Sequence, residues 1–237
     1  MKDIRGREGA CVITSLVLKI RFHDLRGHLR TITSEVKTYG FHSYIGGIAD
    51  NSTFKLNNLL IAGYVDTTWL GFYSIASTMV SPMVSFSTSL STSAYRSFAT
   101  KDRLNKKLFL ANAAFLAVSA IVIAVCARPL IATVLTKRFL PVTGLVYILI
   151  FTAFFQGLYQ PINAFLASHG KGRESQKISF MVTAVNLCVA VTLIPRLGAH
   201  GAAVGSSVAK LCEFLGNVYY YRKVTRAMRA NSNTPRP

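Results

Sequence analysis

The chain has 237 residues, 51% of them apolar and only 15% charged, yet its formal net charge is +18. No charged side chain occurs between Asp66 and Arg96, from Leu108 to Ala127, or from Phe139 to Gly170; each run is long enough to cross ~30 Å of hydrocarbon as a helix of about 20 residues. Such runs exclude an ordinary soluble fold, and Lys and Arg that fall in short clusters between them exclude nucleic acid as a partner, which would need a contiguous basic face.

In chain order, residues 1–38 come first. The apolar stretch Cys11–Leu18 is too short to span at ~1.5 Å per residue and lacks a small-residue cleavage site; it reads as the end of a spanning helix whose beginning is missing. After it Phe22, Leu25, Leu29, Ile32 and Val36 recur at steps of three and four, flanked by Arg21, Arg26 and Arg30. This spacing predicts a basic amphipathic helix lying in the headgroup layer. Residues 39–221 are expected to form a bundle of about six spanning helices, over 41–64, 67–94, 108–127, 141–165, 178–195 and 199–221, and 222–237 a basic, disordered cytoplasmic tail. The segments 21–38, 95–107, 166–177 and 222–237 hold 17 Lys and Arg, against 4 in 65–66, 128–140 and 196–198. By the positive-inside rule both ends of the block, and the C-terminus, are cytoplasmic.

Polar side chains within the spans are costly in hydrocarbon and mark cavities or helix contacts. On the first span Asn51, Lys55 and Asn58 share a stripe, with Asp50 and Asn57 on the adjacent one. On the second, eleven of residues 74–93 are Ser or Thr, and Ser77, Ser81, Ser85, Ser89 and Ser93 recur every fourth residue. They serve either close helix packing or the wall of a hydrated cavity, and Pro82 offers a flex point. Gln156, Gln160 and Asn163 form a stripe on the fourth span around Pro161. On the sixth, Ser206, Lys210, Glu213 and Asn217 share a face, Lys210 and Glu213 are spaced to pair, and Gly201 and Gly205 form a packing motif. Four polar stripes with apolar backs predict a bundle around a wet, charged cavity.

No catalytic or metal-ligating constellation and no cofactor motif is found. His42, His169 and His200 stand alone near helix ends, the four cysteines lie in apolar stretches without CxxC pairing, and no phosphate-binding GxxxxGK[ST] occurs. The chain reads as a non-enzyme.

Tyr39-Gly40-Phe41, Ile48-Ala49-Asp50, Lys55 to Ala62 and Leu70 to Ala76, then Gly170-Lys171-Gly172, Asn186, Leu193 to Gly198 and Gly201-Ala202-Ala203, taken in this order and spacing, resemble bacterial polysaccharide flippases. These are the O-antigen and teichoic-acid exporters of the multidrug/oligosaccharidyl-lipid/polysaccharide exporter superfamily. The similarity runs from about residue 35 to 221. It implies two six-helix lobes around a central cavity working by alternating access, with this chain matching the second lobe and needing a first lobe or a second copy as partner. It also implies a bacterial inner-membrane location. Family members often carry an acidic residue near Asn57, which is asparagine here.

These readings together give the expected function: translocation of an undecaprenyl-pyrophosphate-linked oligosaccharide, coupled to H⁺ or Na⁺. Lys55 and Lys210 would meet the pyrophosphate, Asn51, Asn58, Gln156, Gln160 and Asn163 the sugars, and Asp50 or Glu213 the coupling ion. The alternatives are a multidrug exporter of the same superfamily, whose cavity should be acidic and aromatic, and a non-transporting membrane scaffold of a polysaccharide-assembly complex.

Overall fold

The computed structural model describes residues 57–232 except 102 and 136, together with Tyr44, Ile48 and Lys55. The segment 1–38 and the positions Asp50 and Asn51 lie outside the described residues. Helix α1 covers 57–64. It is followed by α2 (Thr67–Ala99), α3 (Lys106–Leu130), α4 (Val142–Ser168), α5 (Gly172–Leu197) and α6 (Ala199–Ser232). Among the described residues there is no strand, and the chain is an all-α, polytopic membrane helix bundle, as composition required.

The element bounds follow local chemistry. Asn105 caps α3 by accepting from the Lys107 N–H at 3.0 Å. Pro129 lies in the last turn of α3, and the helix passes there into a π-helical stretch (Ile131–Leu135) and a 3-10 turn (Lys137–Phe139), as expected where proline removes a ladder donor. Helix α4 ends on Gly170 at φ 71°: the Gly170 N–H donates to the Ala167 carbonyl and the Lys171 N–H to that of Leu166, each at 3.1 Å, the paired closure that a left-handed residue after a helix permits. Between α5 and α6 only Gly198 intervenes, at φ 59°, which a side chain would strain. Helix α6 does not stop near 221 but continues to Ser232, and 233–237 of the expected tail lie outside the described residues. Arg, Lys, Ala and Met propagate a helix well, and cations suit a helix C-terminus.

Helix α4 is central, packed by α2, α3 and α6, while α5 lies against α6. The core joins Tyr73, Ala76, Val80 and Met83 of α2 and Leu116 of α3 to Leu145, Leu149 and Ala153 of α4 and Ala202 of α6. Helix α3 is peripheral. It buries Asn112, Leu116 and Ala127 and turns Leu110, Val118, Ile121, Val122 and Val125 outward, a surface suited to lipid. Among the described residues three helices (α3 extended to Thr133, α4 and α5) are apolar and long enough to cross a membrane, by length and composition alone. Helices α2 and α6 have the length, 33 and 34 residues, but hydroxyls and the charges of α6 dilute their apolar character. These are the helices that carry much of the polar interior.

Four prolines lie inside helices, Pro82, Pro129, Pro161 and Pro195; at Pro82 and Pro161 a side chain supplies the donor that the opposite carbonyl lacks, as membrane helices require. Opposite Pro82, the Thr78 carbonyl accepts from Ser81 Oγ at 2.9 Å. Opposite Pro161, the Gly157 carbonyl accepts from Asn112 Nδ2 at 3.0 Å, and Asn112 Oδ1 accepts from Ser87 Oγ at 2.8 Å. One buried clamp thus ties α2, α3 and α4 together. Ser87 and Ser91, not the every-fourth-residue series, are the buried serines of α2. Gly201 and Gly205 do serve packing: a Cβ at Gly201 would collide with the Leu193 backbone, and one at Gly205 would lie 3.4 Å from Val189.

The ends of the bundle separate the basic clusters. At one end Leu104 N–H donates to Tyr221 Oη at 3.3 Å, and Phe165 meets Phe98 and Tyr221 edge to face and His169 at a tilt, which gathers the α2–α3 and α4–α5 connections with the end of α6. At the other end Trp69 meets His200 and Phe72 meets Phe139. There Thr68 and Thr67 donate to the exposed Asp66 and hold its carboxyl below the ordinary carboxylate range.

Candidate functional site

Between α1, α2, α4, α5 and α6 lies a cavity of 540 Å³, walled by Asn57, Tyr73, Ser77, Ser81, Ser85, Thr152, Gln156, Tyr159, Asn186, Ser206 and Lys210 among others. The walls are hydroxyls, amides and short aliphatic side chains. Lys210 is the charged residue on them, and among the described residues they carry no carboxylate.

Each wall is set by the packing around it. Because α2 buries Tyr73, Ala76, Val80 and Met83, its neighbouring stripe of Ser77, Ser81 and Ser85 borders the cavity, while Ser89 and Ser93 lie beyond it. The Ser and Thr hydroxyls of α2 largely satisfy themselves on their own helix: Thr78 donates to the Ser74 carbonyl and Thr88 to that of Val84, each at 2.9 Å.

Four helices meet in one polar node. Asn57 Nδ2 donates to Ser206 Oγ at 3.1 Å and to Asn186 Oδ1 at 3.4 Å, while Tyr73 Oη and Ser206 Oγ are 3.3 Å apart. Thr152 and Ser207 hydroxyls, 2.7 Å apart, add a second link between α4 and α6. The node is neutral.

Lys210 Nζ lies 2.7 Å from Glu213 Oε2, with 19% and 4% of the two side chains exposed, and 5.5 Å from the centre of the Tyr159 ring. Glu213 sits behind the wall. Asn217 Nδ2 donates to the Glu213 carbonyl at 2.9 Å.

Of the residues singled out from the sequence, Lys210 and Gln156 line the cavity and Glu213 backs it. Lys55 is exposed and is not on the described walls. Asn58 is half-buried beside the lining Asn57, and its Oδ1 has no partner among the described residues. Gln160 is half-buried off the wall, and Asn163 Oδ1 accepts from Ser175 Oγ at 3.1 Å, tying α4 to α5. Helix rotation explains the difference on α1: Asn57 enters the cavity, and Asn58, one position or ~100° further round, does not. Tyr73, Tyr159, Thr152 and Asn186 were not chosen from the sequence, since isolated polar residues in apolar helices carry no periodic signal. Among the described residues no group of His, Cys, Asp or Glu could hold a metal ion.

A cavity at membrane depth predicts a specific labelling pattern. In a background lacking the native cysteines, Gln156→Cys should react rapidly with a charged methanethiosulfonate reagent, and Val122→Cys on the outer face of α3 should not. Equal inertness of the two would show that the cavity is dry.

Fold and cavity define a multi-pass membrane protein whose described helices wall a chamber with hydroxyls, amides and one lysine. A family model described as Polysaccharide biosynthesis protein matches residues 9–143, more than half of the chain, and the chain belongs to that family. The match includes the α1 and α2 walls of the cavity; the α4, α5 and α6 walls follow it. No curated protein and no solved structure matches the chain.

Proposed function

We propose that the chain is one lobe of a flippase-type transporter that moves an undecaprenyl-pyrophosphate-linked oligosaccharide to the outer leaflet of a bacterial inner membrane by alternating access. The observation that carries this reading is the cavity itself: one lysine set in a wall of hydroxyls and amides, at membrane depth. A pyrophosphate–sugar headgroup cannot enter hydrocarbon unaided. Lys210 offers it a point charge, and Gln156, Ser77, Ser81, Ser85 and Asn57 offer hydrogen bonds to sugars. A chamber of 540 Å³ is in the range that holds a small ligand. The family's role in polysaccharide biosynthesis supports the substrate class. A described wall holding a cation and no carboxylate favours an anionic cargo over organic cations. The basic end of the bundle faces the cytoplasm in this reading.

The lobe needs a partner. On α2, Thr88, Ser89, Thr92 and Ser93 are exposed and off the cavity wall, whereas the outward face of α3 is aliphatic. A hydroxyl-rich face of this kind suits another protein surface or water better than lipid. The test is surface polymer in a strain deleted for its own flippase. Polymer should appear when the chain is co-expressed with a first lobe, and not from the chain as a monomer. Polymer from the monomeric chain would overturn the one-lobe reading, and no polymer with any first lobe or second copy would overturn the flippase reading.

A further inference from the structure

Away from the chamber, the α3–α4 connection leaves a groove of 320 Å³ on the outside of the bundle, walled by Thr68, Gly71, Phe72 and Ile75 of α2 and by Arg138 and Phe139 of the 3-10 turn. None of these residues lines the chamber. The floor of the groove is apolar: Phe72 and Phe139 meet edge to face at 5.5 Å, and a Cβ at Gly71 would project into open space, with nothing within 4 Å. Arg138 is exposed at the rim. Among the described residues no carboxylate pairs with it and no hydrogen bond holds its guanidinium, and Asp66, just before α2, is engaged by Thr67 and Thr68 instead. We propose that this groove is an interfacial binding site for one anionic glycerophospholipid, with its phosphate on the Arg138 guanidinium and one acyl chain along α2.

Depth, charge and length together select this ligand. The groove lies along the first turns of α2 beside the half-buried Trp69, and tryptophan favours the headgroup level of a bilayer. A guanidinium offers a phosphate two parallel N–H donors. One cation with no paired carboxylate matches a headgroup of net negative charge better than a zwitterion, whose own cation it would repel. Below the rim Gly71, Ile75, Met79 and Pro82 recur at steps of three and four, each exposed or half-buried. At ~1.5 Å per residue this stripe is about 16 Å long, close to half of the ~30 Å hydrocarbon thickness, so it follows a chain through one leaflet. At its foot Phe86 of α2 stacks on Phe115 of α3, with 3.7 Å between ring centroids, and closes the track. A soluble phosphate or an acidic peptide would satisfy Arg138 but leave the apolar floor uncovered; a lipid satisfies both. A lipid seated there joins the α3–α4 connection to α2, whatever the chamber carries.

The experiment is native mass spectrometry of the full chain in detergent, titrated with phosphatidylglycerol or phosphatidylcholine of identical acyl chains. The first phosphatidylglycerol should bind about fivefold more tightly than the first phosphatidylcholine, the preference that one arginine at a membrane surface supplies. Arg138→Gln should abolish that preference. Arg128→Gln removes the same charge from the exposed end of α3, outside the groove, and should keep it. Gly71→Leu should fill the floor and weaken binding of both lipids. Equal binding of the two lipids by the native chain, a preference that survives Arg138→Gln, or binding unchanged by Gly71→Leu would overturn the proposal. A preference lost equally in Arg128→Gln would also overturn it, by showing diffuse attraction to the basic connection. Displacement of the bound phosphatidylglycerol by an equimolar polyprenyl diphosphate would make the groove a seat for a carrier lipid and overturn the phospholipid assignment; phosphatidylglycerol that stays bound supports it.

Discussion

Lys210→Met is expected to abolish polymer export and also to lower stability, and the two losses should separate in a double variant. Removing the lysine leaves Glu213 buried beside an apolar side chain, and breaking a buried pair from one side costs about 3–5 kcal/mol. Replacing both partners, Lys210→Met with Glu213→Leu, removes the buried charge together with its counter-charge. That variant should unfold in detergent at or above the native temperature, because an apolar pair of similar volume is often neutral or stabilising there. Export should stay absent in it, since the chamber has lost its charged wall. Surface polymer from either variant, assembled with its partner lobe, would show that Lys210 does not handle the cargo. A double variant as unstable as the single one would show that the pair contributes something besides charge compensation.

Gly157→Ala should destabilise the bundle without touching the chamber. An added Cβ would lie 2.6 Å and 2.8 Å from the two Cδ atoms of Leu116 and 2.9 Å from Ser87 Oγ. Leu116 is fully buried, so it cannot swing aside, and overpacking of this sort costs about 1–3 kcal/mol. The same substitution presses on the clamp in which Asn112 serves the carbonyl that Pro161 leaves open. A matched control is Gly63→Ala, where nothing lies within 4 Å of the added carbon. Thermal unfolding in detergent should fall for Gly157→Ala and hardly change for Gly63→Ala. Equal midpoints would mean that α3 and α4 separate more easily than their contacts imply.

The class of fold was legible in the residues alone because the requirement is one-dimensional. A run such as 139–170 without a charge has few stable places except a membrane, and helices close their hydrogen bonds internally whatever their neighbours are. The pairing of Lys210 with Glu213 was legible for the same reason: three residues apart on a helix, their proximity is local geometry. So was the role of Gly201 and Gly205, since small residues four apart leave a groove on any helix. What sequence could not settle was rotation. On α1 Asn57 faces the cavity and Asn58 does not, a difference of one residue, or ~100° about the helix axis. That angle depends on which side chains α2, α5 and α6 offer in return. Tyr73, Asn186 and Ser206 belong to one node only because α2, α5 and α6 converge there; Tyr73 and Ser206, whose hydroxyls meet, are 133 residues apart in the chain. The rescue of the Gly157 carbonyl by Asn112 is likewise a fact of packing: the sequence announces that Pro161 will orphan a carbonyl, but only the approach of α3 to α4 decides which side chain answers it.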